Sequence, residues 1–378
     1  MEFVGSPYIK VLYNSRDITE DISKHLLSIQ YSDKTEGESD ELQLSLEDKD
    51  RLWQNEWYPE KGSTLSAEIG YKNGLKLDCG SFMIDEIELS GPPDIVNIRG
   101  LAIGIHGKLK TKKGGRNHEG KTLSEIVHTV AAVNNFTVQG TIANIRFGRI
   151  AQHRENDLQF LSRLAAEYGH IFSIRGKVLI FTRTDSLEER NASIIYDRSD
   201  LISYSIKDKT SGIYKSAIVK FHNPETKQVS EHAETFSADT ATDDVLEIKT
   251  KAENKQQAEA KAKAALHRAN TLMQTGSIAG PGHVLMVAGN NIELTGLGLL
   301  SGKYHILNST HNIDKSGGYT VDAEIKKVGT IPAIKNKTNK VQKPKTTVIP
   351  TVPKANLATS SFPTVDFNLF QKPEGWQS

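Results

Sequence analysis

The sequence predicts a mainly β protein that carries an α+β insertion and ends in an extended segment. Apolar and polar residues alternate near both ends of the predicted folded part, as at Leu42, Leu44 and Leu46, and such alternation is typical of half-buried strands. Between these regions, a capped apolar stripe after Thr122 indicates helices. Residues 331–378 contain half of the prolines, which favours an extended or disordered tail.

Residues 1–105 are predicted to form a first β domain. Short apolar or alternating runs follow one another at close spacing, at residues 8–13, 42–46, 65–69, 82–84 and 95–98. The last two runs are separated by Gly91-Pro92-Pro93-Asp94, a sequence that favours a turn. Several short strands at this spacing are typical of a small barrel or sandwich.

Residues 106–195 are predicted to form a small α+β domain. Thr122 and Glu125 have the spacing of a helix-capping box, and a second helix is predicted to start at Asn156. Gly169 is well placed to end that helix. The following apolar run, residues 171–181, is predicted to be a hairpin that turns at Gly176.

Residues 196–330 are predicted to form a second β domain with one inserted helix. The predicted strands lie at residues 213–221, 284–287, 292–294, 304–306 and 319–323. The helix is predicted from about residue 252 to residue 273, and its stripe of small alanines favours close packing on a neighbour. Residues 80–84 and 302–306 share a glycine, an aromatic residue and an isoleucine at matching offsets. This weak repeat is what two related β modules would leave.

Composition excludes several classes of protein. With 47 basic and 46 acidic residues, the net charge is +1, whereas a general nucleic-acid or anionic-membrane binder usually has a larger basic excess. Cys79 is the only cysteine, so neither an intrachain disulfide nor a cysteine-based zinc site can form. Neither a Sec-type signal peptide nor an apolar run of membrane-spanning length is visible. We expect a soluble protein that is made and assembled in a reducing cytoplasm.

One motif suggests nucleotide chemistry. Gly115, Gly120, Lys121 and Thr122 fit the pattern G-x-x-x-x-G-K-T, which cradles phosphate in P-loop proteins. The context disagrees, because residues 108–114 are basic and polar where a buried strand is required, and βαβ units are not seen around the motif. A nucleotide-binding enzyme therefore stays the alternative hypothesis.

The other candidate residues are better explained by structural roles than by binding or catalysis. Basic residues at 108, 110, 112, 113 and 116 form a predicted solvated loop that could contact phosphate or an acidic protein. The glycines at 289, 296, 298 and 302 are predicted turn residues. His305 and His311 are predicted to be packed or hydrogen-bonded, and metal-binding or serine-nucleophile spacing is not found. We therefore predict no catalytic, cofactor-binding or metal-binding residue.

The tail combines charge with aromatic residues. Residues 331–378 carry seven lysines against Asp366 and Glu374, a net charge of +5. The aromatic residues near the end are unusual for a spacer and are predicted to dock on a neighbouring chain. They are Phe362, Phe367, Phe370 and Trp376.

Several segments follow one another in a specific order. They are Arg16-Asp17-Ile18-Thr19, residues 39–48, Gly80-Ser81-Phe82-Met83-Ile84, Gly91-Pro92-Pro93-Asp94, residues 121–127, residues 156–165, and Gly302-Lys303-Tyr304 with His311. This ordered series resembles the phage late control gene D family, and its last segment resembles the closing hairpin of the related VgrG hub region. The resemblance covers about residues 8–328 and leaves out the tail.

The resemblance implies a structural baseplate hub of a contractile phage tail or phage-derived injection particle. Such hubs are homotrimers in which each chain carries two tube-like antiparallel β-barrels joined by a small α/β domain. Six barrels then match the hexameric tail tube, and a trimeric spike, here a separate protein, binds below. Tape measure and baseplate wedge proteins are further expected partners, DNA is only passing cargo, and membrane binding is not expected. Residues 34–40 are a candidate contact to neighbouring chains.

The resemblance also implies a location, namely the baseplate of a particle assembled in the bacterial host cytoplasm. A nucleic-acid-binding regulator that uses the basic loop and tail is a third hypothesis. The near-neutral charge and the lack of a recognition-helix motif argue against it.

Overall fold

Alternating apolar residues place most of this chain in β-sheets. In the computed structural model, the described residues are 5–35, 39–103, 114–223, 228–236, 242–271 and 273–328. Strands dominate both ends of this part, with helices concentrated between them. The predicted mainly β class with an α+β insertion is therefore confirmed, whereas the predicted tail at residues 331–378 and its aromatic anchors lie outside the described residues.

The first β region runs from β1 to β7. Its elements are β1 (Pro7–Tyr13), β2 (Arg16–Asp17), α1 (Thr19–Ser23), β3 (Leu26–Lys34), β4 (Glu41–Glu47), β5 (Thr64–Tyr71), β6 (Lys76–Ser90) and β7 (Ile95–Ala102). In β4 the three leucines at 42, 44 and 46 are buried and their neighbours are partly exposed. The predicted alternation is confirmed, and it places one face of β4 in the core.

The insertion mixes short strands with helices. Its elements are β8 (Gly114–Glu119), α2 (Leu123–Val133), β9 (Thr137–Gln139), β10 (Arg149–Glu155), α3 (Asp157–Glu167), β11 (His170–Arg175), β12 (Val178–Arg183) and α4 (Thr184–Glu188). The predicted capping box at Thr122 starts α2, and α3 starts after Asn156 as predicted. Asn156 also forms a capping box, with Gln159. The predicted hairpin at Gly176 is also confirmed as the pair β11 and β12.

The last region returns to strands. Its elements are β13 (Ile194–Asp197), β14 (Ser203–Asp208), β15 (Ser216–Asn223), β16 (Gln228–Thr235), β17 (Val245–Lys249), α5 (Lys255–Asn270), β18 (Gln274–Pro281), β19 (Asn291–Thr295), β20 (Gly302–Asp314) and β21 (Gly318–Lys327). The predicted strand at residues 284–287 is wrong. That segment forms turns, in which Met286 N–H donates to the His283 carbonyl (2.9 Å).

The strands β15, β16 and β17 form a separate small sheet that α5 covers. Ala258 and Ala262 of α5 are fully buried and share a core with Val219 and Phe221. Small side chains let the helix approach the sheet closely, so the predicted close packing of this alanine stripe is confirmed.

Thirteen of the described strands form one large sheet. Its main path is β14-β18-β21-β20-β3-β4-β7-β6-β5-β1-β2, and β19 joins both β20 and β13. The two β regions are therefore hydrogen-bonded to each other through β3 and β20. Their cores also meet, because Ile313 and Tyr319 of the last region are buried among the residues of the first.

Candidate functional site: a repeated five-strand unit

The weak sequence repeat marks equivalent positions in two long strands. Residues 80–84 lie in β6 and residues 302–306 lie in β20. In each segment the opening glycine has a positive φ angle, +90° in one and +134° in the other, and L side chains rarely adopt such angles. The aromatic residues that follow, Phe82 and Tyr304, are both fully buried. The shared residues thus serve the same structural purpose in both places.

The strands that pair with these segments have the same register. Leu65 opposes Phe82 and Ala67 opposes Gly80, while Ile292 opposes Tyr304 and Leu294 opposes Gly302. In both strand pairs, the residue opposite the glycine therefore lies two positions further along the chain than the residue opposite the aromatic ring. Over the four opposed pairs that include these residues, β5–β6 is equivalent to β19–β20.

A bulge occurs at the same place in both long strands. The register with β7 shifts between Ile84 and Glu86, and the register with β21 shifts between Ile306 and Asn308. A β-bulge inserts one extra residue and bends the strand, and bulges are regular features of a fold rather than defects. Two bulges at one offset extend the equivalence to β7 and β21.

The equivalence continues through two more strands. In the first unit, Leu42 of β4 opposes Gly100, which is the partner of Ile84. In the second unit, Gly276 of β18 opposes Ile325, which is the partner of Ile306. In turn, Tyr31 of β3 opposes Leu42, and Ile206 of β14 opposes Gly276. The chain therefore contains one five-strand unit twice, as β3-β4-β7-β6-β5 and as β14-β18-β21-β20-β19.

The two units meet at the pairing of β3 with the second half of β20. His311 opposes Tyr31 there, and their rings stack with centroids 5.9 Å apart. His311 Nε2 lies 3.0 Å from the Met286 carbonyl oxygen, which can only accept, so this nitrogen carries the proton. Nδ1 then accepts from the Tyr319 hydroxyl at 2.8 Å. Burial lowers the pKa of His311 to about 4, so this imidazole is neutral and structural.

A buried ion pair ties the insertion to this junction. Asp33 of β3 has a fully buried side chain, and its Oδ1 accepts from Arg175 Nη2 at 2.6 Å. Its Oδ2 accepts from the Ala288 N–H at 2.9 Å. Burial raises the pKa of Asp33 to about 7, while Arg175 and the Ala288 N–H act in the opposite direction. One carboxylate thereby joins the first β region, the insertion and the last β region.

The face of the sheet away from the core is polar. On it, Arg99 of β7 donates to both carboxylate oxygens of Glu41 (2.7 and 2.8 Å) and to Glu86 at 3.3 Å. At the junction between units, the hydroxyls of Ser32 and Thr310 lie 3.3 Å apart. The polar face therefore continues across the junction from one unit to the other.

The P-loop hypothesis is wrong in its geometry. Residues 114–119 form β8, which pairs antiparallel with β10, so the segment is not the open loop that wraps a phosphate group. Thr122 caps α2, since its hydroxyl accepts from the Glu125 N–H (3.2 Å) and its own N–H donates to Glu125 Oε2 (2.7 Å). The backbone and the threonine are thus engaged within the fold.

The remaining sequence candidates have structural partners. His305 is buried with Nδ1 2.7 Å from Asn291 Oδ1, and burial lowers its pKa to about 4. Gly289, Gly296 and Gly298 have positive φ angles between strands, as expected of turn glycines. The basic residues at 108, 110, 112 and 113, and residues 36–38 of the candidate contact loop, lie outside the described residues.

The described part of the chain holds no group of three or more histidine, cysteine, aspartate or glutamate side chains placed to bind a metal ion. Its helices include none that is both long and apolar enough to cross a membrane.

The fold of this chain is similar to that of a solved protein. A solved tail protein from Neisseria meningitidis MC58 has a TM-score of 0.64 and 12% identity, covering 85% of this chain and 97% of that one. The chain belongs to the phage tail baseplate hub (GPD) family, whose sequence profile matches residues 109–317. The sequence-based resemblance is therefore confirmed.

Two curated relatives from phages carry the same description, "Probable baseplate hub protein". The protein of Escherichia phage P2 is 35% identical over 181 residues, and that of Escherichia phage 186 is 32% identical over 183 residues. These matches cover 47% and 48% of this chain. They cover 46% of each relative, so the chain matches about half the length of these proteins.

Proposed function

We propose that this chain is the structural hub of a contractile tail baseplate, and that three copies form a ring joining the tail tube to the central spike. The observation that carries the proposal is the five-strand unit that occurs twice in one chain. Three chains would supply six such units, which is the number needed to match a sixfold tail tube. A threefold spike would bind the opposite face, where the symmetry remains threefold.

In this proposal the residue ranges have separate tasks. Residues 1–105 and 196–330 form the two tube-like β-barrels, residues 106–195 form the insertion, and residues 331–378 extend toward a neighbouring chain. The role is structural and not catalytic. It is supported by the family and by the buried, neutral state of His305 and His311.

The proposed partners follow from position in the particle. They are two further copies of this chain, the tail tube protein and a separate spike, with tape measure and wedge proteins as neighbours. DNA would pass through the ring as cargo in an infectious phage. The same hub would serve a tailocin or injection particle, so the proposal covers both. Assembly takes place in the host cytoplasm, without membrane binding by this chain.

The mass of the intact complex tests the trimer. Native mass spectrometry of the purified full-length chain is expected to give three times the mass of one chain, and the denatured sample gives the control mass of one chain. Adding the candidate spike protein is expected to give a complex of three copies of each. A monomer or dimer over a wide concentration range, with and without the spike, would contradict the proposal.

A further inference from the structure

The in-chain junction uses one specific pair of strand edges. The outer edge of β3, the first strand of its unit, pairs antiparallel with β20 along residues 308–314. These β20 residues lie beyond the bulge, where the strand no longer pairs with β19. The junction thus joins the first strand of one unit to the second half of the long strand of the other.

Within the described residues, the same two edges have no ladder partner at the equivalent positions of the repeat. The strand equivalent to β3 is β14, and within the described residues its ladder partner is β18 alone. The stretch equivalent to the second half of β20 is residues 86–90 of β6, which within the described residues pairs with β7 and not with β5. One chain therefore presents one edge of each kind.

We propose that β14 of one copy pairs antiparallel with residues 86–90 of the next copy, in the register of the in-chain junction. The inference rests on the proposed function, since it takes the partner to be a second copy of this chain. The two edges differ, so the contact is head-to-tail, and repeated head-to-tail contacts close into a ring when the rotation allows. Three copies would then alternate in-chain and between-chain junctions around the ring.

The repeat fixes which residues would face one another. In the in-chain junction Asn308 opposes Lys34, Thr310 opposes Ser32, His311 opposes Tyr31 and Asn312 opposes Gln30. The same register can be applied to the equivalent residues of β6 and β14. Glu86 then opposes the partner subunit's Lys209, and Glu88 opposes the partner subunit's Lys207. Leu89 opposes the partner subunit's Ile206, and Ser90 opposes the partner subunit's Ser205.

The charges at these positions are complementary. Both acidic residues lie on one edge and both lysines on the other, and all four are exposed in the single chain. The Glu86 side chain is 61% exposed. Opposite charges directly across a ladder stabilise it, and like charges destabilise it. The register of the in-chain junction, used unchanged, thus places two acidic residues opposite two lysines.

The apolar residues agree with the same register. Leu89 is 45% exposed, whereas His311, at the equivalent position in β20, is fully buried against Tyr31. Tyr204 of β14 is 40% exposed, whereas its equivalent in β3, Ile29, is 1% exposed. Pairing between copies would cover both side chains, and long uncovered edges are otherwise prone to aggregation.

One opposed pair combines an apolar with an acidic residue. Ile87 would face the partner subunit's Asp208, whose Oδ2 already accepts a hydrogen bond from Gln274 Nε2 (2.8 Å) in its own chain. The equivalent in-chain pair is Ser309 with Asp33, and there the carboxylate is also held by other residues. The carboxylate therefore keeps a partner in the proposed junction.

Disulfide trapping in the full-length chain tests the register. In an antiparallel ladder, directly opposed Cα atoms lie about 4.5–5.5 Å apart, within the range that a disulfide needs. Ser90→Cys combined with Ser205→Cys is expected to give covalent trimers on a non-reducing gel after mild oxidation. Cys79 is buried and stays in every variant.

Two matched variants control this experiment. Ser90→Cys with Ser203→Cys shifts the pair by two residues and is expected to give at least tenfold less covalent trimer. Gln30→Cys with Asn312→Cys places the pair in the in-chain junction and is expected to stay a monomer on the gel. Glu88→Lys is expected to weaken the trimer at least tenfold, and adding Lys207→Glu is expected to restore it.

The outcomes separate this inference from the proposed function. A trimer by native mass that gives no covalent trimer with Ser90→Cys and Ser205→Cys, and that is insensitive to Glu88→Lys, would overturn the junction alone. A wild-type chain that remains monomeric would overturn both. Covalent trimers that form equally well in the shifted variant would overturn the register.

Discussion

Replacing Arg175 by methionine is expected to lower the free energy of unfolding by about 3–5 kcal/mol, the usual cost of leaving a buried charge without its partner. Asp33 has a fully buried side chain and accepts from Arg175 at 2.6 Å. Without the guanidinium, the hydrogen bond that the carboxylate keeps among the described residues is that from the Ala288 N–H. Urea unfolding of the full-length chain measures the loss.

The pH dependence of this loss identifies its cause. Burial raises the pKa of Asp33 to about 7, and losing Arg175 removes an interaction that lowers it. The pKa of Asp33 in the folded variant is therefore higher than in the wild type. At pH 5 Asp33 is protonated in both folded proteins, whereas at pH 8 the wild type gains the ion pair with Arg175 and the variant does not, so the loss is expected to be larger at pH 8. Arg149→Met removes an exposed pair with Glu119 (3.6 Å) and is expected to cost less than about 1 kcal/mol. Equal losses for the two variants would contradict the structural role of Asp33.

Phe82→Ala and Tyr304→Ala are each expected to lower the free energy of unfolding by about 3–5 kcal/mol, because both create large cavities in a packed core. The two rings occupy equivalent positions of the repeated unit, and both are fully buried. Tyr304→Phe keeps the ring and removes only the hydroxyl, which donates to the Leu300 carbonyl at 2.6 Å. That variant is expected to cost about 1 kcal/mol.

Denaturant titration of the wild type and of these three variants measures the losses in the free energy of unfolding. Leu75→Ala is the matched surface control, since Leu75 is 68% exposed and such changes are usually within about 0.5 kcal/mol of neutral. If Phe82→Ala or Tyr304→Ala behaved like Leu75→Ala, the aromatic residues of the repeat would not be core residues.

The sequence was informative where structure depends on local signals. The capping box at Thr122, the helix start at Asn156, the hairpin at Gly176 and the alternation in β4 involve residues close together in the chain, and each prediction is confirmed. The G-x-x-x-x-G-K-T pattern misled for the same reason. Local spacing does not reveal that residues 114–119 pair with the distant strand β10.

Long-range features could not be predicted from the sequence. The pairing of β3 with β20 joins residues about 280 positions apart, and Asp33 meets Arg175 across 142 positions. The segment at residues 284–287 is apolar like a strand, but turns present its Met286 carbonyl to His311. The sequence signal of the five-strand repeat was limited to a glycine, an aromatic residue and an isoleucine. The register of a sheet is a property of its backbone pairing, and it can be kept while most side chains differ.

A reconstruction of the assembled particle tests the hub most directly. We expect this chain at the junction between tail tube and spike, as three copies whose six five-strand units surround the axis, with β14 of each copy beside residues 86–90 of the next. Density for this chain elsewhere in the particle, or a copy number other than three at that junction, would contradict it.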